Sequence, residues 1–182
     1  MKRYYAIFSL LLFSLGLQAQ STFSDDFEGY TLGAYIGQVS PNWTTWTGAT
    51  GGAEDAQVVN TQASSGAQSA YFLQSGQGGP QDVVLPFGGQ YNTGQFHYEM
   101  DMRVTSGKGA YFNFQANSVI GQVWALECWM NQSGNLVLQN TNGTFLTTTY
   151  PTGTWFNIAF DINLNTNVWE LLIDNVSQGT FS

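Results

Sequence analysis

Between Gln95 and Thr105 apolar and polar residues alternate without a break. Phe96, Tyr98, Met100, Met102 and Val104 fall in one phase, and Gln95, His97, Glu99, Asp101, Arg103 and Thr105 in the other. That period predicts a strand with one face for a core and one for solvent or a ligand. Similar patterns predict strands from Thr22 to Phe27, Ala56 to Asn60, Ser69 to Gln74, Asp82 to Phe87, Ala110 to Asn117, Val123 to Asn131, Asn135 to Asn140, Thr144 to Tyr150, Thr154 to Asn163 and Val168 to Asp174. Turn signals separate them at Ser106-Gly107-Lys108-Gly109, Gln132-Ser133-Gly134, Asn142-Gly143 and Pro151-Thr152-Gly153. The run from Gly29 to Gly52 lacks a period, and its Gly, Pro and Trp content predicts a surface excursion. Short strands so closely spaced, with no long helical segment between them, imply an all-β, two-sheet antiparallel sandwich.

Carrying the phase into neighbouring strands yields a candidate surface. Tyr111, Asn113 and Gln115 alternate with Phe112, Phe114 and Ala116; Glu127 and Trp129 alternate with Leu126 and Cys128; Trp155, Asn157 and Asp161 alternate with Phe156, Ile158 and Phe160. These polar positions are expected to share one sheet face with His97, Glu99, Asp101 and Arg103. Aromatic planes there would stack on the apolar faces of sugar rings, while amides and carboxylates take the hydroxyls. The candidate carbohydrate-binding set is therefore His97, Glu99, Asp101, Arg103, Tyr111, Asn113, Gln115, Glu127, Trp129 and Trp155.

Lys2 and Arg3 precede an apolar run from Tyr4 to Leu17 that ends at Leu17-Gln18-Ala19, which predicts a cleaved signal peptide over residues 1–19 and a secreted or cell-surface protein. The run is short for a membrane span. One domain is expected from residue 20 to residue 182, long enough for a substantial core. Without the leader, Arg103 and Lys108 are the only basic residues against twelve Asp and Glu, two against twelve, or −10, which excludes nucleic acid as a natural partner. The single Cys128 falls in an apolar phase and reads as a buried, inert thiol.

Three segments resemble a known group: Phe23-Ser24-Asp25-Asp26-Phe27-Glu28 behind the leader, Trp155-Phe156-Asn157-Ile158, and Trp169-Glu170-Leu171-Leu172-Ile173-Asp174-Asn175. Together they look like a concanavalin A-like jelly roll of the laminin G-like type, common in secreted proteins of Bacteroidetes-like bacteria. The resemblance implies two curved antiparallel sheets whose concave face often holds carbohydrate. Glu99-Met100-Asp101-Met102-Arg103 resembles the start of the laminarinase-type glucanase signature, with Arg103 where the second Glu belongs. A hydrolase would then need Glu127 as partner to Glu99, and a pairing of Glu99 with Arg103 is the simpler expectation. Asp25, Asp26 and Glu28 offer oxygen ligands for a structural calcium ion. The chain stops at Gly179-Thr180-Phe181-Ser182 within strand-like patterning, as a truncated sequence would. The expected function is a secreted, non-catalytic, lectin-like module. The alternatives are a hydrolase using Glu99 and Glu127, or a structural adhesin module.

Overall fold

The computed structural model describes residues 22–73 and 79–182, so the expected leader lies outside the described residues. A loop-rich N-terminal segment comes first, carrying one helical turn, α1 (Ile36–Val39), and the short strands β1 (Thr44–Thr45), β2 (Gln57–Val59), β3 (Ser69–Tyr71) and β4 (Val83–Val84). Longer strands follow: β5 (Gln95–Arg103), β6 (Ala110–Gln115), β7 (Trp124–Met130), β8 (Asn135–Asn140), β9 (Gly143–Thr149), β10 (Trp155–Asn163), β11 (Val168–Ile173) and β12 (Val176–Phe181). Two four-stranded antiparallel sheets result, in the orders β12-β11-β10-β5 and β6-β7-β8-β9, and they form a β-sandwich. No helix among the described residues is long and apolar enough to cross a membrane.

Alternation sets the register. In the β5/β10 ladder Phe96 faces Ile162, Tyr98 faces Phe160, Met100 faces Ile158 and Met102 faces Phe156. These pairs point inward to meet Phe112, Phe114, Leu126, Cys128, Leu136 and Leu138 of the other sheet. Phe160 lies fully buried at the centre, with its ring edge-on to Phe114 at a centroid separation of 5.3 Å. Removing such a side chain from water contributes about 1.5–3 kcal/mol. Burial also pushes the Tyr98 phenol up to about 12.

The two long sides of the sandwich differ. On one, β12 meets β9 through stacked Phe145 and Phe181 rings and a hydrogen bond from Thr148 to Gln178 Oε1 (2.7 Å). On the other, β5 and β6 are edge strands of different sheets despite the tight turn that joins them. Phe87 reaches between these edges, its centroid 5.1 Å from Phe96 and 6.3 Å from Phe114.

The N-terminal segment has its own small core of Ile36, Ala56 and Val58, organised by buried Asp55. Its Oδ1 accepts the N–H groups of Gly37 (3.0 Å) and Ala56 (2.9 Å), and its Oδ2 accepts that of Gly51 (2.8 Å). One expected strand is absent, because residues 22–27 are not in a sheet. Asp25 and Asp26 instead bond forward to the N–H groups of Phe27 and Glu28, turning the chain with Phe27 at φ 63°.

Candidate functional site

On the outer face of the β6/β7 ladder Tyr111 sits opposite Trp129, and Asn113 opposite Glu127. The rings of Tyr111 and Trp129 touch, with centroids 4.3 Å apart and planes inclined at 51°. A hydrogen-bonded row fixes the side chains around them. Tyr111 donates its hydroxyl proton to Glu127 Oε1 (3.0 Å), Asn113 Nδ2 donates to the Tyr111 hydroxyl (3.3 Å), and Gln115 Nε2 donates to Asn113 Oδ1. The far end is anchored by Gly121 N–H on Gln115 Oε1 (3.0 Å). Burial and the neighbouring Glu127 raise the Tyr111 pKa, so the phenol stays a neutral donor at any physiological pH. Trp129 Nε1 is shielded from solvent yet has no partner among the described residues. An orphaned N–H of this kind costs free energy until something accepts from it.

The other expected residues lie elsewhere. His97, Glu99, Asp101 and Arg103 are on β5 and Trp155 is on β10, so they occupy the outer face of the opposite sheet. The single shared face predicted from alternation is therefore wrong. Alternation assigns a residue to core or surface but does not say to which sheet its strand belongs. All ten candidate residues nonetheless line one broad open groove, which also takes in residues of the edge strands β5 and β6.

The β5 face is largely satisfied by its own contacts. His97 Nδ1 lies 2.6 Å from Asp161 Oδ1, and Nε2 lies 3.7 Å from Glu99 Oε2. The hydrogen bond to Asp161 is the main reason the His97 pKa rises, against a smaller opposing effect of desolvation. Asp101 accepts from the Ser64 hydroxyl (2.6 Å) and from Asn157 Nδ2 (3.0 Å). Arg103 donates Nε–H to the carbonyl of Gly153 (3.1 Å) and forms no ion pair with Glu99, which instead lies beside the His97 imidazole. Glu99 and Glu127 stand on strands of different sheets, whereas retaining hydrolysis needs carboxyls about 5–5.5 Å apart across a cleft.

The three N-terminal carboxylates are engaged separately. Asp25 Oδ2 accepts from Tyr30 (2.7 Å) and Trp43 Nε1 (2.8 Å), Asp26 accepts from Glu28 N–H, and Glu28 Oε1 accepts the N–H groups of Ala67 (2.8 Å) and Gln68 (2.7 Å). Among the described residues, no group of three or more His, Cys, Asp and Glu is arranged to hold a metal ion.

Three residues join the β6/β7 face that alternation alone did not select. Trp124 pairs with Gln115 in the ladder and so shares its outward phase. Trp46 stacks on Trp124 from the N-terminal segment, with centroids 6.4 Å apart. Asp82 lies close enough to add to the negative field at Tyr111. The sequence signal for Trp124 is masked by a bulge between Phe114 and Gln115, which shifts the phase by one residue. No protein family, curated protein or solved structure matches the chain significantly.

Proposed function

We propose that this chain is a secreted, non-catalytic carbohydrate-binding module whose ligand stacks on Tyr111 and Trp129. The observation that carries the reading is the pairing of these two rings with Glu127 and Asn113 on one outward ladder, beside an indole N–H that lacks an acceptor. Rings supply contact area to the apolar face of a pyranose, and the carboxylate and amides match its hydroxyls. Secretion is the expectation set by the leader, and the laminin G-like resemblance points to the same ligand class.

Non-denaturing gels cast with laminarin, lichenan or agarose test the reading. The wild-type protein migrates more slowly in at least one of them, and Tyr111→Ala and Trp129→Ala run as they do in a plain gel while keeping the wild-type melting temperature. Normal migration of the wild type in all neutral polysaccharides, or retention that survives both substitutions, overturns it.

A further inference from the structure

Resting on that reading, we propose that the ligand is a long uncharged polysaccharide chain, held at two aromatic platforms, Tyr111–Trp129 and Trp46–Trp124. The two are displaced along the same strands. Trp129 pairs with Tyr111 and Trp124 with Gln115, four residues further along β6, so the platforms stand about 13 Å apart on one face at the usual strand rise. Between them lie Asn113 and Glu127, with Gln115 beside Trp124, all already fixed by the hydrogen bonds that run from Glu127 to Gly121. A single sugar on Tyr111 leaves the Trp124 end empty. A chain running along β6 meets a ring at each end and hydrogen-bonding groups in the middle.

The second platform is held by the backbone of the loop before β7. Trp46 lies directly over Gly121, where an added Cβ would sit 2.5 Å from Trp46 Cζ2, and Gly121 has a φ of +80°. Only glycine leaves room there for the indole. Trp46 comes from the N-terminal segment and Trp124 from the sandwich, so the platform bridges the two parts of the groove. At about 3180 Å³ the groove far exceeds the ~300–1,000 Å³ of a small-molecule pocket. Such a size suits a polymer.

Charge fixes the class of polymer. Glu127 and Asp82 both act on Tyr111. Apart from Arg103 and Lys108, which flank the β5–β6 turn, the described chain carries no lysine or arginine. Uronate or sulfated chains would bring like charge to a groove where six carboxylates, Asp25, Asp26, Asp82, Glu99, Asp101 and Glu127, outnumber the cations Arg103 and Lys108.

Calorimetric titration with gluco- and xylo-oligosaccharides from two to eight residues, alongside lichenan, xyloglucan and polygalacturonate, provides the test. Affinity rises with chain length until the chain covers both platforms and then levels off, and polygalacturonate does not bind even at low salt. Trp124→Ala lowers long-chain affinity about tenfold or more, the scale of a lost stacking ring, yet leaves disaccharide affinity as it is. Trp46→Leu is a milder variant, with circular dichroism to confirm folding, and lowers long-chain affinity in the same direction. Binding that is the same from disaccharide to polymer, or a length dependence that survives Trp124→Ala and Trp46→Leu, overturns the two-platform proposal while leaving the carbohydrate reading standing. Tight binding of polygalacturonate overturns the charge argument. Failure of every sugar to bind overturns both proposals.

Discussion

The two outer faces of the sandwich come from the same alternating code, and each keeps one shielded polar atom without a partner, Asn157 Oδ1 on the β5/β10 face and Trp129 Nε1 on the β6/β7 face; they differ in what surrounds it. On the β5/β10 face Asp161 and Glu99 flank His97, Asp101 accepts from Ser64 and Asn157, and Arg103 bonds a carbonyl. On the β6/β7 face an orphaned indole N–H lies beside paired rings. The richer set of titratable groups is mostly engaged in holding the protein to itself, while the β6/β7 face, with Glu127 and nearby Asp82, keeps its paired rings.

The largest expected effect removes what the two faces share. Phe160→Ala opens a cavity at the centre of the core and costs about 3–5 kcal/mol. Chemical denaturation measures it, and glycan retention falls in proportion to the unfolded fraction. A loss below ~1 kcal/mol would mean that the sheets do not depend on this contact. Next comes the effect that separates the faces. Trp129→Ala loses roughly 1–3 kcal/mol of glycan affinity, by analogy with bases stacked on aromatic side chains, with little change in melting temperature. His97→Ala and Glu99→Gln bind as the wild type does in the same gel. Equal losses on both faces would erase the distinction.

A smaller effect lies in the response to pH. The His97 pKa is raised in the fold by the hydrogen bond to Asp161, so its contribution to stability is fully present below the unfolded histidine value of about 6.5. That contribution fades as pH rises through the elevated folded value. The exposure of the pair, 54% and 53% for the two side chains, keeps the effect small. Asp161→Asn brings the His97 titration midpoint down, as read by NMR, and flattens the pH dependence of melting over that window; glycan affinity does not change. The smallest expected signal is none at all. The wild type releases no reducing sugar from laminarin, lichenan or agarose, and turnover that vanished in Glu99→Gln would restore the hydrolase reading.

How much of this the sequence reveals depends on the kind of information asked of it. The strand from Asn135 to Asn140 is found to the residue, and β5 and β10 within one or two residues, since an uninterrupted period of two has no other regular solution. The inward phases of Met100, Phe114, Cys128 and Phe160 follow for the same reason. What alternation does not encode is partnership between strands. The tight turn after β5 looks like a hairpin, yet β5 pairs with β10, some fifty residues on, and β6 pairs with β7. Asp25 and Asp26 mislead in another way, because bonds to their own backbone two residues ahead break the strand that Phe23 and Phe27 suggest. Trp46 was hidden because its segment has no period at all. Its place over the β6/β7 face depends on contacts with Trp124 and with Gly121, the latter seventy-five positions away in the chain.

Cys128 stands between the two faces, its side chain in the core and its thiol pKa raised by burial alone. Thiolate, the form that reacts with alkylating reagents, is thus scarce, and reagent access requires the sheets to part. The protein carries its own clock. The rate at which a maleimide or disulfide reagent reaches this one sulfur reports how often the sandwich opens, with no label added and no residue changed. A bound polysaccharide that stabilises the closed state slows that rate in step with its occupancy. The same cysteine thereby records both the breathing of the core and the filling of a groove it never touches.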